Sequence, residues 1–218
     1  PKALETGDLN RYIEPFIGGG AVFFYIAQLY PIRESVICDI NTELILTWKV
    51  VKQDVTALIR ILQELQDAYD ARDESGRLNL FYQVRDELNQ ERSSFDYDTY
   101  GDHTIKRASQ LLVLNRTCFN GLFRLNSKGE FNVPFGKYKN PNIVQEKNLQ
   151  MASDLLTHTT IMQGDFTASL DYVDNMSFVY IDPPYRPLNK TSSFTGYSKE
   201  GFSEEDQIRL RDFYGTVD

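Results

Sequence analysis

An acid, two prolines and a tyrosine, Asp182-Pro183-Pro184-Tyr185, follow the apolar run Ser177-Phe178-Val179-Tyr180-Ile181. The prolines remove two backbone donors and hold the chain extended, so the Asp182 carboxylate and the Pro183 carbonyl can both point past a strand end. Two adjacent acceptors suit the hydrogens of an amino group, and the Tyr185 ring offers a face for a planar base. A structural proline turn with an incidental acid would read the same way, so the corner gains meaning only from what accompanies it.

Three further signals accompany it. Gly18-Gly19-Gly20 lets backbone approach a ligand closely, Asp39 lies about 20 residues on, and Asp165-Phe166 follows Gly164. An acid after a second strand suits a ribose diol, which raises a nicotinamide cofactor as one reading. However, Phe16-Ile17-Gly18-Gly19-Gly20 does not fit G-x-G-x-x-G, and no Walker-type lysine or serine follows. A glycine turn without a phosphate cradle fits a cofactor with ribose and adenine but no pyrophosphate. S-adenosyl-L-methionine has that chemistry, with Asp39 taking the ribose, Asp165 the adenine amino group, and Phe166 or Ile40 the adenine face. Tight strand-helix packing would also account for the glycines alone.

These residues need strands that end at one edge. Tyr12 to Phe16, Ser35 to Asp39, Thr159 to Gln163 and the run into Asp182 read as strands, and Ala21 to Ala27 begins a helix after the glycines. Between the second and third strands, apolar spacing predicts helices over Thr42–Lys52, Val55–Tyr69, near Leu80–Glu91, Ile105–Arg116 and Ile143–Leu156. Asn120 to Pro134 alternates around Asn126-Ser127-Lys128-Gly129, a hairpin signature, and Phe202–Phe213 closes as a helix capped by Ser203. The expected fold is α/β, a parallel sheet with its special residues at strand C-termini, where open α/β sheets bind ligands. Its catalytic domain would comprise residues 1–54 and 157–218, with residues 55–156 inserted as a helical and hairpin unit.

The chain has 218 residues, 41% apolar and 25% charged, an ordinary soluble composition without a membrane-length apolar run or a secretory leader, so a cytoplasmic, monomeric protein is expected. Cys38 and Cys118 match no metal or disulfide spacing, and His103 and His158 lack partner motifs, so no metal site is expected. A net charge of −8 argues against a wholly basic surface, yet Lys106 to Lys139 carries a local excess of six positive charges. A basic segment in an acidic protein reads as one binding face.

The ordered runs Glu14-Pro15-Phe16-Ile17-Gly18-Gly19-Gly20, Asn115 to Arg124, Phe131 to Tyr138 and Asp182-Pro183-Pro184-Tyr185 together resemble the Dam-type, alpha-class DNA adenine-N6 methyltransferases, most of all the GATC-methylating branch. The resemblance spans nearly the whole chain. It implies a Rossmann-like, S-adenosyl-L-methionine-dependent sheet with an inserted DNA-recognition domain, acting on double-stranded DNA in a restriction-modification or Dam-like setting. Glu14, Phe16, Gly18, Gly20, Asp39, Ile40, Asp165, Phe166 and Asp182 would form the cofactor site, and Asp182, Pro183 and Tyr185 would hold a flipped adenine. Phe119 and Asn120 would fill the gap left by the base, while Leu122, Arg124 and Pro134 would read base pairs. Arg116, Asn126 and Asn132 complete the DNA-facing set, with Lys137 and Lys139 as phosphate contacts. Arg124 is physically the best suited reader, because a guanidinium can bond guanine O6 and N7.

Two departures matter. Family members open with a Lys-Trp-Gly-Gly-Lys-like segment and continue beyond the last helix, so the chain is expected to be trimmed at both ends, and its one tryptophan, Trp48, falls in a helix. A DNA-binding fragment without catalysis, or a methyltransferase of RNA or protein glutamine, are the alternatives. Ser192 to Tyr197, polar with a glycine, reads as a loop over the pocket.

Overall fold

The structure, a computed structural model, describes residues 2–184 and 202–217; Tyr185 and the Ser192–Tyr197 loop lie outside the described residues. Four parallel strands, β1 (Arg11–Glu14), β2 (Glu34–Asp39), β3 (Thr159–Gln163) and β4 (Ser177–Val179), form one sheet in the order β3-β2-β1-β4. The two central strands are buried nearly end to end, as a parallel sheet covered on both faces requires. From β1 the chain steps outward through β2 to β3, then reverses to place β4 on the other side of β1. That reversal opens a crevice between β1 and β4 at the C-terminal edge.

A short helix α1 (Lys2–Thr6), unexpected from the sequence, buries Leu4 before β1. Helix α2 (Ala21–Leu29) crosses from β1 to β2, and α3 (Thr42–Gln53) starts where the Asn41 side chain accepts from the Glu43 and Leu44 amides. Then α4 (Val55–Asp70), α5 (Glu74–Glu91) and α6 (Asp102–Thr117) pack so that α6 contacts α3, α4 and α5. The expected amphipathic α6 is in fact buried on almost every side, including Arg107, Ser109 and Gln110. One apolar cluster runs from Tyr12 and Ile37 of the sheet through Leu58 and Leu62 to Leu114 and Phe135.

Helix α7 (Glu146–Leu156) begins three residues later than expected. Ile143 and Val144 are core residues ahead of the helix, and Gln145 turns into it with φ of 45°. A 3-10 turn over Phe166–Tyr172 leads from β3 towards β4, and α8 (Glu204–Val217) packs Leu210 and Phe213 against Phe166. No described helix is long and apolar enough to cross a membrane.

Candidate active site and DNA-facing loop

Parallel strands put every strand end on one edge, and there the chain builds a cavity of about 410 Å³. Glu14 closes β1, Asp39 closes β2, Asp165 follows β3 and Asp182 follows β4. All nine expected cofactor residues line the cavity, together with Pro183 of the expected catalytic set.

The glycine turn is built onto Asp39. The Gly18 amide donates to Asp39 Oδ2 (3.0 Å) and the Asn41 amide to Oδ1 (2.8 Å), so a buried carboxylate clamps the turn after β1 to the start of α3. Trp48 supports the turn from behind, its Nε1 donating to the Gly18 carbonyl at 3.2 Å. Gly20 has φ of 72°, and a Cβ there would sit 3.1 Å from Phe24 and 3.2 Å from Trp48, so this position needs glycine for both conformation and space.

The cavity's electrostatics are one-sided. Glu14, Asp39, Asp165, Asp182 and Asp206 line it, and no described lining residue is a lysine, arginine or histidine. Burial pushes the Glu14 carboxyl up to about 7; the Tyr12 hydroxyl, 2.6 Å away, opposes the shift, while the charges of Asp182 and Asp39 add to it. Burial also raises Asp39, partly offset by its amide donors. At Asp165 burial favours the neutral form, but hydrogen bonds from Thr167 and Arg209 outweigh it and hold the carboxyl below its usual range. Phe166, only 3% exposed, stacks on Phe16 with centroids 5.3 Å apart, which leaves Ile40 as the adjoining apolar side chain open to solvent. The buried Cys38 thiol is pushed up to about 12 by burial and by Asp39, so it is no nucleophile.

The second region is the loop between α6 and α7. The expected hairpin is there in outline but not as regular strands: isolated antiparallel bridges join Cys118 to Phe135 and Leu125 to Phe131. Side chains replace the missing ladder. Asn89 of α5 both donates to the Phe131 carbonyl (3.0 Å) and accepts from its amide (2.8 Å), and Arg92 donates to the Lys128 carbonyl. The Asn126 side chain accepts from the Lys128 and Glu130 amides, so it holds the turn rather than facing outward.

At the loop's outer end Phe119 and Leu122 are 51% and 46% exposed, with Asn120 between them at φ of 55° and Pro134 accepting from the Phe119 amide. Arg124 Nε donates to Asn132 Oδ1 (2.8 Å) and Nη2 to the Asn132 carbonyl (3.2 Å), so Asn132 aims the guanidinium. Arg116 donates to Gln145, and Lys137 and Lys139 are exposed. The basic run is smaller than the sequence suggested. Arg107 is 1% exposed and paired with Glu43 of α3, so it is internal; Lys106 stays exposed, in a loose pair with Glu91 of α5. Sequence reading also missed Asn89, Arg92 and Arg209, whose partners lie far away along the chain.

A parallel sheet with a glycine turn and an acid-lined cavity at its switch point is the Rossmann-like fold of methyltransferases. A family profile described as D12 class N6 adenine-specific DNA methyltransferase matches residues 1–218. The chain is 50% identical over 218 residues to the type II methyltransferase M.MjaIII of Methanocaldococcus jannaschii, covering all of this chain and 73% of that protein. It is 40% identical over 213 residues to the type II methyltransferase M1.LlaDCHI of Lactococcus lactis subsp. cremoris, covering 96% of this chain and 68% of that one. With the DNA adenine methylase of Escherichia coli strain K12 it shares 33% identity over 198 residues, 91% of this chain and 64% of that protein. The chain belongs to the D12 class of N6 adenine-specific DNA methyltransferases.

Proposed function

We propose that the acid-lined cavity binds S-adenosyl-L-methionine and that Asp182 and Pro183 present a flipped adenine to it, within GATC, in double-stranded DNA. The observation that carries the reading is the cavity's charge: five carboxylates and no described cationic lining residue. A dinucleotide's pyrophosphate would be repelled there, whereas a ligand bearing a sulfonium and an ammonium is attracted. The fit extends to the other groups. Asp39 is held by amides yet keeps lone pairs for a ribose diol, Asp165 stays ionised to accept from an adenine amino group, and Ile40 adjoins with an open apolar side chain.

When bound, S-adenosyl-L-methionine supplies an electrophilic methyl on a positively charged sulfur. The chain's own residues do the rest. The exocyclic amine of adenine is a poor nucleophile because its lone pair is delocalised into the ring. The Asp182 carboxylate and Pro183 carbonyl accept its two hydrogens, which lets the nitrogen rehybridise and aim the lone pair along the line of displacement. Methyl transfer would leave a surplus proton on the amine, and the exposed Asp182 would pass it to water. Tyr185 is assigned the stacking face. Extruding the base costs a few kcal/mol, offset by that stacking and by Phe119 and Asn120 filling the gap. Residues 55–156 serve as the target-recognition insertion between the catalytic portions 1–54 and 157–218, with Leu122, Arg124 and Pro134 reading bases. The type II methyltransferase names of two relatives support a restriction-modification setting.

Two measurements test this. Titration calorimetry should show S-adenosyl-L-methionine binding and no NAD binding. Single-molecule sequencing of DNA from cells expressing the full-length protein should show N6-methyladenine at GATC; modification at another motif would overturn the sequence assignment and leave the site intact.

A further inference from the structure

Arg209, on the second turn of α8, reaches across to the cofactor edge. Its Nη2 donates to Asp165 Oδ1 and its Nη1 to Asp206 Oδ1 (3.0 Å), while its guanidinium carbon lies 5.0 Å from the Phe166 ring centroid. Asp206 is itself fixed, since Oδ2 accepts from the Ser203 amide (2.9 Å) and hydroxyl (2.7 Å). The arginine is therefore anchored by a capped helix turn on one side and an aromatic face on the other.

The consequence falls on Asp165. Oδ1 also accepts from the Thr167 amide (3.1 Å) and hydroxyl (2.7 Å), so three donors converge on one oxygen. Oδ2 has no hydrogen-bond partner among the described residues, and Asp165 lines the cavity. A carboxylate saturated at one oxygen and fixed in its plane has a single acceptor left to offer.

We propose that Arg209 is a positioning residue that sets base specificity for the cofactor: by saturating Asp165 Oδ1 it leaves Oδ2 to select a 6-aminopurine and reject a 6-oxopurine. The proposal rests on the reading of the cavity as the S-adenosyl-L-methionine site. A 6-amino group donates to Oδ2, whereas a 6-oxo group sets one acceptor against another.

The test compares two product analogues, S-adenosylhomocysteine and S-inosylhomocysteine, titrated calorimetrically into the full-length protein. Wild type should prefer the adenosyl compound. Arg209→Met should weaken it about tenfold, a loss fitting a charge-assisted contact, and leave the inosyl compound within about twofold. Arg209→Lys should recover part of the preference, because an ammonium can still donate to Oδ1. Equal weakening of both analogues would mean that Arg209 only steadies α8, and no change in either would mean that Asp165 orients itself; each result overturns the proposal. Failure of wild type to bind either analogue would instead remove the cofactor reading, and this inference with it.

Discussion

The cofactor edge and the α6–α7 loop solve opposite problems with opposite means. The edge gathers acids at the ends of a parallel sheet, buries Glu14 and Asp39, and clamps Asp39 with two backbone amides. The loop keeps most of its cations exposed and holds its shape with two isolated bridges and with Asn89 of α5 and Arg92 just beyond it. Under the proposed reading, a protein of net charge −8 would serve a cationic cofactor and a polyanionic substrate by keeping the charges separated. Burial sharpens the first site, because charges interact more strongly where the effective dielectric is low. Exposure suits the second, because phosphate contacts work by releasing counterions.

The largest effect separates the regions outright. Asp182→Ala should lower kcat by on the order of 10³-fold, because an acceptor aimed at the reacting amine is lost. Its affinity for DNA should change little, measured by gel shift. Unchanged turnover would sink the catalytic assignment. A DNA affinity that fell in step with kcat would show that the two regions are not separable.

Next comes a pH effect confined to the edge. Burial holds the Glu14 carboxyl up at about 7 in the fold, against an ordinary glutamate value of about 4.5. Between those values the unfolded chain is ionised while the folded one keeps its proton, so stability falls as pH rises from about 4.5 to about 7 and then levels. The shift corresponds to on the order of 3 kcal/mol. Urea melts at pH 5 and pH 8 should show this loss in wild type and its removal in Glu14→Gln. An equal loss in both proteins would place the titrating group elsewhere. A cationic ligand draws Glu14 towards its ionised form, so cofactor affinity should strengthen over the same range.

The edge was largely legible in the sequence, and the loop much less so. Buried parallel strands read as short apolar runs, and the residues that end or follow such runs are placed at the crevice, so Asp39, Asp165 and Asp182 were read from local pattern, whereas Glu14, inside its expected strand, came only from the family resemblance. Arg107 was misread because its partner, Glu43, is 64 residues away, and only packing shows the charge to be internal. Ile143 and Val144 carry the same apolar spacing inside or outside a helix, so the start of α7 was not fixed by pattern. The hairpin's register rests on Asn89, 42 residues from Phe131, and Arg209 lies 44 residues from the acid it holds. Contacts between distant residues are where periodicity is silent.

Within the loop, reading and positioning should come apart. Arg124→Ala should cost about 1–3 kcal/mol at one base pair and relax specificity there, as measured by competition among single-substitution duplexes. Asn132→Ala should act at the same base pair with a smaller effect, because it removes the Oδ1 contact to Arg124 Nε and leaves the backbone contact to Nη2. Equal weakening on all duplexes would make Arg124 a phosphate contact.

The smallest expected effect is that of Lys137. It is exposed, has φ of 58°, and its ion pair to Glu74 spans 3.9 Å between two exposed side chains, too loose to hold it from a phosphate. Lys137→Ala should weaken all duplexes alike and lower the slope of log K against log salt by about 0.9, leaving specificity and cofactor affinity unchanged. A base-dependent change would mean that the face reads sequence beyond Arg124. A change in cofactor affinity would mean that loop and edge communicate, and the division of labour between acids and cations would then be coupled rather than merely spatial.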